Sequence, residues 1–217
     1  MLFRSRAVVT IHDCIHLMFP QYLPNRWALQ YARTSITLAA RRATRVLTVS
    51  ESSKRDIQKF VDIPPGKVDV IYNSYDPRFG VEPDAATVDR VRERYQLHSQ
   101  FVLYAGNVKP HKNLERLIDA FHIVRDRGLG ELKLVLIGDD ISRYGALRRA
   151  VHRHQLHNYV RFLGYVAEDE LWRRYACAQV FATPAMADFN IAPYEALAMG
   201  CNVVWTTEME TDAAIEA

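Results

Sequence analysis

Short β-branched runs alternate with helical patterns along the whole chain. "AVVTIHD" (7–13) reads as a buried strand, because apolar and β-branched residues run together without a charge until its end. "NRWALQYARTSITLAARRA" (25–43) reads as a helix. "RVLTVS" (45–50) is a strand that ends at a serine, and "SESSKRDIQKF" follows as a helix that Ser50 or Ser52 can cap. "VDVIY" (68–72) is a further short strand. Residues 73–100 are polar, with Pro and Gly and a single helical stretch, and read as a connection.

The second half is more regular. "FVLYAGN" precedes a helix over 112–127, and "LKLVLIGD" precedes one over 142–156. "VRFLGY" precedes a helix over 168–177, "QVFATPA" precedes one over 192–199, and "NVVWTTE" is a fifth strand. Strands alternating with helices of this length demand crossover connections and hence a parallel sheet covered on both faces. The expected class is α/β, doubly wound. Such sheets bind ligands beyond the carboxyl ends of their strands, which selects the loops after residues 13, 50, 106, 138, 164 and 184.

Composition sets outer limits. The chain has 217 residues, 49% hydrophobic and 24% charged, which suits a globular protein rather than a disordered one. No apolar run reaches the ~18 residues of a membrane span. The opening apolar stretch is too short for a signal peptide. Cys14, Cys177 and Cys201 form no C-x-x-C pair, so a reduced, cytoplasmic setting is expected.

Charge is uneven. Residues 1–60 hold ten Lys or Arg against three acids, a local +7 within a net +3. A basic first third suits an anionic lipid surface or a phosphorylated substrate, and a solvated helix face accounts for the same pattern. Peripheral contact at the inner face of a membrane belongs with the first of these readings. Nothing points to nucleic acid.

Four stretches carry candidate chemistry. In "GNVKPHKNLERLIDAF", Gly106 ends a strand, and Lys109, His111 and Lys112 precede a helix whose free N–H groups favour an anion. An ordinary basic loop is the competing reading, since this is neither G-x-G-x-x-G nor a P-loop. In "VLIGDD", Gly138 and Asp139 close a strand as simple turn chemistry. In "IHDCIH", His12, Cys14 and His16 would share one face of a strand, yet they are too few for a zinc site, and His12 reads better as a polar group facing a ligand. In "PAMADFNIAPYEALAMG" (184–200), Glu195 lies in the first turns of a helix that Pro193 helps start. It either complements the helix dipole or accepts hydrogen bonds from sugar hydroxyls.

Taken in order, "VVTIHD", "RVLTVSESSKRDI", "VIYNSYDPRF", "YAGNVKPHKNLERLIDAF", "LVLIGDD", "VRFLGYVAEDELWRRYACAQVFATPA" and "EALAMGCNVV" resemble the retaining glycosyltransferases of family 4 over essentially the whole chain. The resemblance implies the GT-B fold: two Rossmann-like domains, with a nucleotide diphosphate sugar bound mainly by the second. It divides the chain into a partial N-terminal domain (1–80), a linker (81–98) and a C-terminal nucleotide-sugar domain (99–217). It further implies sugar transfer with retention, of hexosyl or mannosyl type, from a GDP- or UDP-sugar to a saccharide or lipid-linked acceptor. No metal and no cofactor are implied.

Residue by residue, Lys112 matches the lysine that neutralises the donor diphosphate, and His12 matches the histidine near the transferred sugar. These two are the expected catalytic residues. Gly106 and Asn107 fall in the donor loop, with Asn107 where many members have arginine. Gly164 and Tyr165 match the region lining the base. Glu195 matches the second glutamate of a Glu-x7-Glu motif that binds ribose. The first glutamate falls at Ala187, and the usual Gly-Phe-Gly-Leu reads Asp188, Phe189, Asn190, Ile191.

The resemblance also implies that the first strands of the N-terminal domain and a closing segment after "DAAIEA" are absent, as in a chain truncated at both ends. Ala187 and those absences keep an alternative open: a catalytically impaired or fragmentary homologue that binds nucleotide or a partner without turnover. A Rossmann dehydrogenase lacks its fingerprint here.

Overall fold

A computed structural model of the chain describes residues 6–81, 84–94, 100–139, 141–186 and 190–206. They form two compact units. One runs through Ser74, and the other spans Tyr75–Met186 and resumes at Asn190.

The first unit is a three-stranded parallel sheet, β1 (Val8–Thr10), β2 (Arg45–Thr48) and β3 (Val68–Val70), in that spatial order. Val9 pairs with Val46, and Val46 with Val68. A one-turn helix, α1 (Ile15–Met18), follows β1, and α2 (Arg26–Arg42) and α3 (Glu51–Phe60) make the two crossovers. Asn25 caps α2 by accepting the Ala28 N–H at 2.9 Å. Of the two serines expected as the cap of α3, Ser50 does the work: its Oγ accepts the Ser53 N–H at 2.9 Å. Ile11, Cys14, Leu17, Ala40, Val46, Ile57 and Val68 build the core.

The stretch expected as one strand over 7–13 is shorter. Asp13 Oδ1 accepts the Ile15 N–H (3.0 Å), which bends the chain into α1. His12, Cys14 and His16 therefore do not share a strand face. Cys14 is buried at the start of α1, whereas His12 and His16 are exposed. Among the described residues, no group of three or more His, Cys, Asp or Glu is placed to hold a metal ion.

The second unit holds five parallel strands: β4 (Phe101–Ala105), β5 (Lys133–Ile137), β6 (Val160–Gly164), β7 (Val180–Thr183) and β8 (Asn202–Trp205). Their spatial order is β6-β5-β4-β7-β8, so the chain winds outward in both directions from β4. Alternation along the strands separates two cores. Phe101, Leu103 and Ala105 of β4 join Val135 and Ile137 on one face, under α7 (Glu168–Cys177) and α8 (Ala192–Ala198). Tyr104 joins Leu134 and Leu136 on the other, under α5 (Leu114–Asp126) and α6 (Gly145–Arg153). Burying both faces makes the strands nearly uninterrupted apolar runs. Each Leu, Ile or Phe so buried contributes roughly 1.5–3 kcal/mol.

The region expected as a linker over 81–98 carries α4 (Ala85–Arg94), which packs on α7 inside this unit. No helix among the described residues is long and apolar enough to cross a membrane.

Candidate functional site

The winding reverses between β4 and β7, so the crevice that a doubly wound sheet offers to ligands lies beyond Ala105 and Thr183. Three glycines close the strand ends beside it. The Gly106 N–H donates to the Ile137 carbonyl (3.0 Å), and the Gly138 N–H donates to the Gly164 carbonyl (3.0 Å). Gly164 is left-handed (φ 68°), which favours glycine, and Tyr165 beyond it is 75% exposed. Gly138 sits so close to the Gly106 carbonyl that a Cβ there would lie 2.1 Å from the oxygen.

The loop after β4 is fixed from beneath and from the side. The Tyr104 hydroxyl donates to the Asn107 carbonyl at 2.9 Å. The Met186 N–H donates to the His111 carbonyl at 2.9 Å, which ties the loop after β7 to the loop after β4. A short 3-10 turn, Pro110–Lys112, carries Lys112. The helix expected from 112 starts later. Asn113 adopts a left-handed conformation (φ 57°), and α5 begins at Leu114 without a side-chain cap. Lys112 thus lies just before the helix rather than in it, and it is only 6% exposed.

The helix after the β7 loop begins as expected. Asn190 Oδ1 accepts the Ala192 N–H (3.3 Å), so Asn190 serves the start of α8. The Ile191 carbonyl accepts the N–H groups of Tyr194 (3.0 Å) and Glu195 (3.1 Å). Glu195 Oε2 in turn accepts the Tyr175 hydroxyl at 3.0 Å. Burial holds the Glu195 carboxyl above the usual carboxylate range, the Tyr175 bond opposes that, and Glu168 adds to it. Burial first, then Glu195, pushes the Tyr175 phenol well above its ordinary value, so it stays a proton donor.

The second unit therefore carries Gly106, Asn107, Lys112, Gly164, Tyr165, Asn190, Ile191 and Glu195 on the loops and helix starts at the carboxyl ends of its strands. His12 stands exposed just beyond the carboxyl end of β1 in the first unit. Ala187, Asp188 and Phe189 lie outside the described residues. Sequence reasoning missed Tyr175, whose partner is 20 positions away on another helix, and Tyr104, which reads as an ordinary strand residue.

A parallel sheet wound both ways from β4, with its crevice loops braced by glycines, defines the doubly wound α/β class. The pattern described as "Glycosyl transferases group 1" matches residues 99–216, and that of "Glycosyltransferase Family 4" matches residues 2–79. The chain belongs to this glycosyltransferase family, and its fold is of the GT-B type. It is 29% identical over 206 residues to O-antigen chain mannosyltransferase B of Escherichia coli, covering 92% of this chain and 52% of that protein. It is 27% identical over 205 residues to O-antigen chain mannosyltransferase RfbU of Salmonella typhimurium, covering 94% and 52%. The crystal structure of Anabaena Alr3699/HepE in complex with UDP and glucose superposes with a TM-score of 0.79 at 23% identity, over 98% of this chain and 55% of that one. The chain thus spans about half the length of the curated relatives it matches.

Proposed function

We propose that the protein transfers a sugar, of mannosyl type, from a nucleotide diphosphate donor to a saccharide or lipid-linked acceptor with retained configuration. The observation that carries this reading is the buried Lys112 at the switch point, directly before the uncapped start of α5. When the bond between the anomeric carbon and the diphosphate oxygen breaks, negative charge gathers on the leaving diphosphate. A fixed ammonium and free helix N–H groups stabilise that charge in the transition state. Gly106 and Asn107 line the diphosphate, Gly164 and Tyr165 the base, and Glu195 takes a ribose hydroxyl. Asn190 and Ile191 border the sugar, and Asp188 and Phe189 enter the donor site through the family resemblance alone. His12 enters through the family resemblance alone, as a group near the transferred sugar. The reading needs no metal and no cofactor. Similarity to two mannosyltransferases supports the sugar class, and GDP and UDP both remain donors to test.

Calorimetric titration with UDP and with GDP tests this. The chain is expected to bind one of them, and Lys112→Ala is expected to weaken that binding roughly tenfold or more, as for a lost charge-assisted bond. A folded chain that binds neither nucleotide overturns the reading.

Ala187 supports a second reading, nucleotide binding without turnover, because the family resemblance expects an acid at this position. If Ala187→Glu alone produces donor hydrolysis or transfer that the natural chain lacks, the second reading holds.

The acceptor side is proposed to meet an anionic membrane through α2. This helix holds Arg26, Arg33, Arg41 and Arg42 and no acid. Its inner stripe of buried Ala40 with partly buried Leu29 and Ile36 packs on the core, while Trp27 (74% exposed), Tyr31 (76%) and Leu38 lie on the opposite side. Aromatic residues among arginines on an exposed helix face suit the headgroup region of anionic lipid.

A further inference from the structure

We infer that Tyr175 is the positioning residue for Glu195: its buried hydroxyl occupies Oε2 and leaves Oε1 as the oxygen that receives a nucleotide hydroxyl. The inference rests on the donor-site reading of Glu195 given above.

Three observations support it. First, the Tyr175 ring is fixed. It is fully buried and packs edge-on against Phe79 (centroids 5.9 Å apart, planes at 65°) and Phe181 (5.5 Å, 63°). Second, the bond joins separate elements. Tyr175 is on α7 and Glu195 is on α8, so the contact (3.0 Å) is no local cap of the glutamate's own helix. Third, Oε2 is the oxygen engaged, and among the described residues Oε1 makes no hydrogen bond.

A carboxylate on a helix otherwise samples several rotamers, and a ligand that uses it must first immobilise it. A rigid phenol removes that freedom before binding, which is preorganisation by a supporting group. The phenol also has an electrostatic effect. Burial and Glu168 both disfavour the charged carboxylate, and the Tyr175 bond opposes them.

The groups around the pair are few. Glu168 at the start of α7 is itself paired with Arg78 of the Pro77–Gly80 turn (3.2 Å), where Arg78 also holds Asp76 (3.0 Å). Cys201 and Tyr104 lie toward the Tyr175 hydroxyl. The flanking strands β7 and β8 carry no charged residue.

The sign of the pH effect follows. A ribose hydroxyl donates to the ionised carboxylate, so nucleotide affinity falls as pH drops through the raised pKa of Glu195. Removing the phenol hydroxyl raises that pKa further and moves the fall to higher pH.

The test is calorimetric titration with UDP and GDP from about pH 4, near the ordinary carboxyl value, up to about pH 8. Wild type, Tyr175→Phe, Phe79→Leu and Glu195→Gln are compared, with circular dichroism as the control for folding. Glu195→Gln is expected to bind roughly tenfold weaker or worse at pH 8 and to lose the pH dependence. Tyr175→Phe is expected to bind about 3–10-fold weaker, with its midpoint at higher pH. Phe79→Leu keeps the hydroxyl but loosens the ring, and it is expected to shift in the same direction by less. It serves as the deciding variant should Tyr175→Phe fail to fold. If Glu195→Gln weakens binding while the folded Tyr175 or Phe79 variant matches wild type in affinity and midpoint, the role of Tyr175 is overturned and the donor-site reading stands. If Glu195→Gln binds as wild type does, the donor-site reading of Glu195 falls, and the inference falls with it.

Discussion

Gly138 has no space for a side chain: a Cβ built there would lie 2.1 Å from the Gly106 carbonyl oxygen. Gly138→Ala must therefore push β4 and β5 apart at the ends that frame the candidate site. A loss of roughly 3 kcal/mol in unfolding free energy is expected, as for an overpacked interior, and urea denaturation measures it. From the sequence Gly138 reads as turn chemistry, because the close approach involves a residue 32 positions away on a neighbouring strand. The cysteines behave as the charge environment dictates. Burial, then Asp56 and Asp13, pushes the Cys14 thiol up to about 12, and burial pushes Cys201 up to about 11. Thiolate is the reactive form, so at neutral pH a thiol reagent is expected to modify the native chain very slowly and the urea-unfolded chain fully. Rapid native-state labelling of either cysteine would contradict this burial.

Helix α2 was legible in outline and not in what it faces. Its pattern marks a helix over 25–43 in the sequence, but which residues face the core does not show until the structure sets Trp27, Tyr31 and Leu38 opposite Leu29, Ile36 and Ala40. The same limit applies to α5. Periodicity places a helix there, but the left-handed Asn113 that delays its start until Leu114 leaves no periodic signal. That small shift takes Lys112 out of the first helical turn. The exposed stripe of α2 carries its own prediction. The chain is expected to sediment with phosphatidylglycerol vesicles, with a blue shift of tryptophan emission. Trp27→Ala with Tyr31→Ala is expected to cut partitioning roughly tenfold, and Arg26→Gln with Arg33→Gln to lower it by about 1 kcal/mol per arginine, with a weaker response to added salt. Equal binding of all variants to neutral phosphatidylcholine vesicles would rule out a charge-guided surface.

For the molecule as a whole, the parallel class follows from alternating β-branched and helical runs, since sequence spacing alone forces crossovers, whereas the spatial order β6-β5-β4-β7-β8 emerges only in the structure. The place where one unit gives way to the other does not follow, because polarity and Pro/Gly content mark residues 73–100 as a connection. Two apolar residues in that stretch decide otherwise. Phe79 is 5% exposed and packs edge-on to Tyr175, and Val88 of α4 packs on the same core. Their sequence surroundings are polar, so only the partners they meet reveal their role. The compact second unit accordingly begins at Tyr75, upstream of residue 99, where the glycosyl transferases group 1 pattern begins. Two fragments test this, one spanning 75–217 and one spanning 99–217. Losing the burial of one Phe costs roughly 3–5 kcal/mol, and α4 adds to that. The longer fragment is expected to unfold cooperatively in urea. The shorter one is expected to unfold at markedly lower denaturant, with a smaller m-value, or to be partly unfolded without any. Equal midpoints for the two would mean that Phe79 and α4 contribute nothing to the fold they cover. Because Phe79 also grips Tyr175, the shorter fragment is further expected to bind nucleotide more weakly at every pH at which it remains folded.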